Sequence, residues 1–387
     1  MTTRTLPTRP ARWVRRLRLR LQVVVVPETA PTATRGAARR AAAVAVGSSV
    51  LVFVAIQAAL SGTSAVTHLV ADPVYGDKEK RLRRLERAAP PGTPRVILLG
   101  TSRTGYGFAA GRVQTAATGV GTPAVVFNFG IPGAGPITHL IYLRRLLADG
   151  HRPDLLVIEV LPPLLADLPD GPLEARMLKG DLLTRDEIEM VGRYAMPVKR
   201  LRQQQREAAR TPVHEHRFKL LGRIFPSALP WQLRYDAGRT PDPNGWGASD
   251  VSEVPDDHRQ RGVAGTAAEY RDVFQHDLPA GPAVAALRDT LELCRAEGIP
   301  VAIVVFPEAT TFRALYPPRV EPKLARFLAD LSTEFGCPAT DARTWIADDL
   351  FLDSHHLLRT GAAAFTDRFA GEVIVPFLHE RSSQGAR

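Results

Sequence analysis

The chain reads as an α/β protein, a mainly parallel sheet between two layers of helices, preceded by one N-terminal transmembrane helix. Short apolar runs near 95–99, 124–129, 155–160 and 301–306 have the length of buried strands. Helical patterns lie between or after them, the alternation that builds a parallel sheet covered on both faces. Upstream, residues 41–60 carry no charge and one strongly polar side chain, Gln57, enough to cross a hydrocarbon core of about 30 Å.

Residues 1–40 hold ten arginines against one acid, Glu28, so nearly all of the net charge of +10 sits there and the rest of the chain is close to neutral. That distribution argues against nucleic acid as a partner, which a basic domain surface would favour. It fits a cytoplasmic N-terminal segment, a membrane helix over 41–62 and an extracytoplasmic domain, by the positive-inside rule. The small residues Thr63-Ser64-Ala65 offer a cleavage site, but the apolar stretch exceeds the usual core of a signal peptide, roughly 7–15 residues. An arginine-rich, acid-poor leader also mimics an organelle transit peptide, and the membrane run ranks that reading lower.

Residues 63–93 read as a linker with a charged helix over 77–88, closed by Ala89-Pro90-Pro91-Gly92. The domain proper spans 94–380. Its clearest helix covers 136–148, with Pro136 in the first turn, apolar residues at 137, 140, 141, 143, 146 and 147, and Gly150 just past the end. Further helices fall at about 283–297, 321–335 and 361–378, and 381–387 is a polar tail. Residues 165–282 interrupt the frame with a charged helical stretch, 174–210, and a Pro-, Gly- and Asp-rich segment, 226–255. So long an insertion is usually functional or disordered. Its Trp231, Tyr235 and Trp246 either stack on a sugar ring as substrate-binding residues or pin the loop to the sheet edge.

The chemistry concentrates in two places. Ser102 follows the run Val96-Ile97-Leu98-Leu99 and Gly100, which puts its hydroxyl at the carboxyl end of a strand, where open α/β sheets bind ligands. A serine needs a base to become nucleophilic, and imidazole has a suitable pKa. Near the far end, Asp353 and His356 stand three residues apart in Asp353-Ser354-His355-His356, so one turn can present a carboxylate beside a ring nitrogen. His355 then points away, as a solvated neighbour. Arg103 either binds an anionic substrate group or pairs with a nearby carboxylate.

At these residues the chain resembles the SGNH/GDSL hydrolase family, which carries a serine after its first strand and an aspartate and histidine in a D-x-x-H turn before its last helix. The resemblance implies an α/β/α fold, a Ser102–His356–Asp353 triad and no cofactor. Asn128-Phe129-Gly130-Ile131-Pro132-Gly133 looks like the family's second block. By that likeness Gly133 is an oxyanion donor with the Ser102 N–H. The third block departs. Where the family carries Gly-x-Asn-Asp after the third strand, Leu155-Leu156-Val157-Ile158-Glu159-Val160 runs into Leu161-Pro162-Pro163-Leu164, and Asn128 or the insertion would have to supply the missing oxyanion donor. A divergent branch that acylates exported polysaccharides, related to the alginate-acetylation and teichoic-acid-alanylation proteins, departs in a similar way. That likeness implies an esterase or O-acyltransferase acting on an acylated glycan or lipid, with a membrane-bound acyl-donor partner. The opposing expectation is a non-catalytic glycan-binding or assembly protein that keeps the fold.

Rival chemistries fail on residues. Gly100 and Gly105 have phosphate-loop spacing, but Tyr106-Gly107 stand where Lys and Ser or Thr would be needed. Neither His214-Glu215-His216 nor Asp353 with His355-His356 forms a zinc motif, so no metal is expected. Cys294 and Cys337 exclude a disulfide scaffold but allow one bridge outside the cytosol.

Overall fold

The computed structural model describes residues 35–66, 71–234, 236, 239–249 and 251–385. Most of the basic segment, Tyr235 and the last two residues lie outside them. The described chain divides into two compact units, one ending at Ile56 and the other starting at Gln57.

Helix α1, Arg35–Val66, contains the 41–60 run, and residues Gly36–Gly62 are long and apolar enough to cross a membrane. Val44, Val46, Val50, Val52, Val54 and Phe53 are exposed. Helix α2, Pro73–Ala88, starts four residues before the expected charged helix, because Asp72 caps it by accepting the Tyr75 N–H at 3.1 Å.

Five parallel strands follow: β1 Arg95–Leu99, β2 Val125–Asn128, β3 Leu155–Glu159, β4 Val301–Val305 and β5 Ala339–Asp341, in the order β2-β1-β3-β4-β5. Side chains alternate between the faces. Ile97, Leu99, Phe127, Ile158 and Ile303 point into one apolar layer with Tyr75 and Leu82 of α2. Val96, Leu98, Val126, Val157 and Val304 point into the other. Burying each such side chain stabilises by roughly 1.5–3 kcal/mol, so both helical layers are needed to cover the sheet.

In chain order the helices of the frame are α3 Ser102–Gly107 and α4 Ala110–Gly119, between β1 and β2, and α5 Pro136–Ala148, between β2 and β3. The insertion supplies α6 Arg185–Val191, α7 Val198–Arg210, α8 Pro212–Ile224 and α9 Asp256–Tyr270. Then come α10 Gly281–Ala296, α11 Thr310–Arg313, α12 Val320–Phe335, α13 Arg359–Phe369 and α14 Val375–Gly385. A wide π turn, Ala370–Ile374, joins the last two. Pro376 has no N–H to donate to the preceding turn, and the wider turn accommodates it. The expected tail is helical as far as Gly385.

The insertion differs from its expected form. Its charged stretch is broken by short 3₁₀ turns and continues into α8. Its Pro- and Gly-rich part lies along the free edge of β2. There the Asn128 N–H donates to the Asn244 carbonyl (2.8 Å), and Asn244 Nδ2 donates to the Val126 carbonyl (2.9 Å). An edge strand covered this way cannot pair with another chain.

Candidate active site

The turn that carries Ser102 is built on a buried carboxylate. Glu159, at the end of β3, accepts hydrogen bonds from the Thr101 and Thr104 N–H groups (2.8 and 3.2 Å) and from their hydroxyls (3.0 and 2.5 Å). Gly100 has no side chain to obstruct it, since a Cβ there would overlap Thr104 and Glu159. Thr101 Oγ1 takes the Arg103 N–H, and the Gly105 N–H reaches the Thr101 carbonyl. From Thr101 to Gly105 the Ser102 N–H alone lacks an acceptor among the described residues.

The partner turn is equally constrained. Phe351 and Leu357 form an antiparallel bridge with both side chains buried, and the Leu352 N–H donates to the His356 carbonyl at 2.8 Å. Asp353 Oδ1 accepts the His355 and His356 N–H groups, both at 2.8 Å, and Oδ2 lies 2.7 Å from His356 Nδ1. His356 Nε2 lies 2.8 Å from Ser102 Oγ. A carboxylate can only accept, so Nδ1 carries the proton and Nε2 presents its lone pair to the serine hydroxyl. Burial would raise the Asp353 carboxyl, but the His356 and His355 rings and the N–H bonds outweigh it and hold the group below the usual carboxylate range. The structure thus brings Ser102, His356 and Asp353 into one hydrogen-bonded chain.

Helix α9 packs against this turn so closely that a Cβ on Gly262 would press on Asp353, and Arg259 donates to the Asp348, Asp349 and Phe351 carbonyls. His355 is buried rather than solvated. It packs on Tyr270 and Phe312, and burial pushes its imidazole well below the ordinary value. Asp353, His355 and His356 place potential ligand atoms within 4.8 Å of one another, yet both His356 nitrogens are already engaged with Ser102 and Asp353.

The structure overturns one expected role and decides between the alternatives at two other positions. Asn128 is no oxyanion donor, because it is fully buried and both amide N–H bonds are spent on the Thr104 and Phe108 carbonyls, at 2.7 Å each. Its Oδ1 takes the Gly130 N–H, so it shapes the second block from within. Arg103 is no substrate ligand. It is 2% exposed, pairs with Glu308 at 3.2 Å and lies 3.7 Å from Glu159, and it donates to the Phe306 and Pro307 carbonyls. Trp246 is half-buried on the core, its Nε1 donating to the Tyr106 carbonyl at 2.7 Å, which makes it a pin for the insertion. Trp231 is exposed on a short 3₁₀ turn of the insertion, Trp231–Leu233, where neither of its expected roles is opposed.

Gly133 has φ +76, a conformation open to glycine, on the loop that the Ile131 N–H ties to the Gly100 carbonyl at 2.9 Å. Met177 of the insertion covers it. Glu174, three residues earlier, was not legible as part of the site. Its carboxylate accepts the N–H groups of Gly135, Ile137 and Thr138 and the Thr138 hydroxyl, between 2.8 and 3.1 Å, so the insertion caps α5 and fixes the end of the Gly133 loop. Cys294 and Cys337 are separate buried thiols, and burial pushes Cys294 up to about 12.

No family model and no curated protein matches the chain. Among solved structures, the chain is similar to an aspartate-to-alanine mutant of the esterase AlinE4, with a TM-score of 0.26 and 11% identity over 65% of this chain and 77% of that one.

Proposed function

We propose that this protein is a membrane-anchored, extracytoplasmic serine esterase or O-acyltransferase acting on ester-linked acyl groups of an envelope or exported glycan. The observation that carries the reaction class is the hydrogen-bonded chain Ser102 Oγ, His356 Nε2, His356 Nδ1, Asp353 Oδ2, with links of 2.8 and 2.7 Å. Ser102 Oγ attacks the acyl carbonyl as its proton passes to His356 Nε2. Asp353 stabilises the imidazolium. The oxyanion is held by the unpaired Ser102 N–H with Gly133 as second donor. Collapse returns the proton to the departing alkoxide and leaves an acyl-serine. Water or a sugar hydroxyl, deprotonated by the same nitrogen, then takes the acyl group. Water makes the protein an esterase, and a sugar hydroxyl makes it a transferase fed by a membrane-bound acyl donor.

The second reading, a non-catalytic glycan-binding protein, draws on the oxyanion site. The third strand runs into Leu161-Pro162-Pro163-Leu164 with no asparagine among them, and the Asn128 donors are occupied. Labelling the full chain in detergent with a fluorophosphonate separates the two. The enzyme reading expects stoichiometric labelling that Ser102→Ala and His356→Ala both abolish. Absent labelling of folded wild-type protein supports the binding reading.

A further inference from the structure

Beside the triad lies a cavity of about 310 Å³, walled by α2, by Gly105 and Tyr106 of the helix that carries Ser102, by Gly130, Ile131 and Pro132, and by Asp236, residues 239–241, Gly245 and Gly247 of the insertion. Tyr106 joins cavity and triad. Its ring lies 5.9 Å from the His356 ring and 4.0 Å from the Arg239 guanidinium.

Three basic side chains line the cavity, and among the described residues none is ion-paired. Lys78 Nζ donates to the Asn128 and Gly245 carbonyls at 2.9 and 3.0 Å, Arg81 to the Asp242 carbonyl at 3.4 Å, and Arg239 to the Gly247 and Ala248 carbonyls at 3.3 and 3.1 Å. The wall's own acids are engaged elsewhere. Asp77 pairs with Arg223 and Asp236 with Arg234, and in neighbouring Asp242, outside the wall, Oδ1 takes the Trp246 N–H. Burial, reinforced by the Arg81 charge and only partly opposed by Asp242, pushes the Lys78 amine down to about 7. Neutral carbonyls do not compensate positive charge that is taken out of water, as at buried Lys78. A negatively charged ligand would.

We propose that this cavity is a subsite for an oxyanion, the carboxylate or phosphate of the molecule that meets Ser102, held by the Arg81 and Arg239 guanidiniums with Lys78 beneath them. Guanidinium forks suit both anions. The subsite deepens the acyl-transfer reading and rests on it only for the identity of the ligand as substrate.

The test uses the full chain in detergent at low ionic strength and reads arginine modification by phenylglyoxal, residue by residue, by mass spectrometry. Inorganic phosphate, glucuronate and neutral glucose are the probes. The expected result is saturable protection of Arg81 and Arg239 by phosphate, glucuronate or both, at least fivefold in rate. Exposed Arg84 should be unaffected, and glucose should do nothing. Protection by one anion alone identifies the group as phosphate or carboxylate. The Ser102→Ala protein should be protected equally. Arg239→Gln should raise the anion concentration needed to protect Arg81 about tenfold or more. Equal effects of glucose and the anions, or no protection of folded wild-type protein, overturn the proposal. Because fluorophosphonate labelling is read separately, protection without labelling would sink the acyl-transfer reading and leave the anion site standing.

Discussion

Arg103 shows how a residue's neighbours in space decide its role. Next to a nucleophile a guanidinium invites a substrate assignment, but here it lies between Glu159 and Glu308, and Glu308 also accepts the Tyr316 hydroxyl at 2.9 Å. Arg103→Met removes the one cation between two buried carboxylates. It should destabilise the protein by about 3–5 kcal/mol, read as a fall in thermal unfolding temperature. A substrate ligand would instead change KM with little loss of stability. His139 offers a pH test. Burial outweighs the nearby Gly100 carbonyl and pushes its imidazole down to about 4 from an ordinary 6.5. Above pH 6.5 the ring is neutral in both states. Between 6.5 and 4 the unfolded chain takes up a proton that the folded chain refuses, so stability falls with pH, and below 4 the full penalty remains. His139→Leu should flatten that stretch of a denaturant-midpoint curve, and identical slopes would refute the assignment. Ser102, Asp353 and His356 were legible because each sits in a local pattern of strand end or turn. The role of Asn128 and the choice between the two roles of Arg103 were not, because their partners are between 20 and about 200 residues away.

At the scale of elements, α5 was legible to the residue, since its proline start, apolar spacing and glycine stop all agree. Its N-cap was not, because the cap comes from Glu174 in another segment. Three main-chain donors of α5 and its entry depend on that carboxylate. Glu174→Ala should therefore cost about 2–3 kcal/mol, above the usual 0.5–2 for a lost cap, because the stranded N–H groups are buried. Glu174→Gln, which keeps one acceptor oxygen, should cost less. Calorimetric unfolding of the two variants checks the order, and equal losses would show that the amide cannot replace any of the bonds. Strand β5 escaped sequence reading for a different reason. It is three residues long, Ala339-Thr340-Asp341, and pairs only with β4 at the sheet edge. No apolar run marks it. The π turn before α14 was likewise hidden inside a pattern that reads as one helix.

For the whole molecule, the disposition about a membrane turns on which positive charges count. Basic residues occur on both sides of the apolar run, with Arg35, Arg39 and Arg40 before it and Lys78, Lys80, Arg81, Arg83, Arg84 and Arg87 after it. Orientation is set by lysines and arginines within about 15–20 residues of the span ends. The first group lies within six residues of position 41, and seven more arginines stand between positions 4 and 20. The second begins 18 residues beyond position 60, in a helix interspersed with acids whose Lys78 is buried in the folded domain. The balance therefore favours a cytoplasmic N-terminus. A C-terminal fusion to alkaline phosphatase, which becomes active only after export, should be active when produced in a bacterium, and a fusion to a cytoplasmic fluorescent reporter should be dark. Replacing all ten N-terminal arginines by glutamine should remove the bias and reduce phosphatase activity severalfold, because the downstream cluster then carries the larger charge. An inactive phosphatase fusion with the native arginines in place would put the Ser102 site in the cytoplasm, away from any envelope glycan, and would overturn the proposed substrate class while leaving the triad chemistry intact.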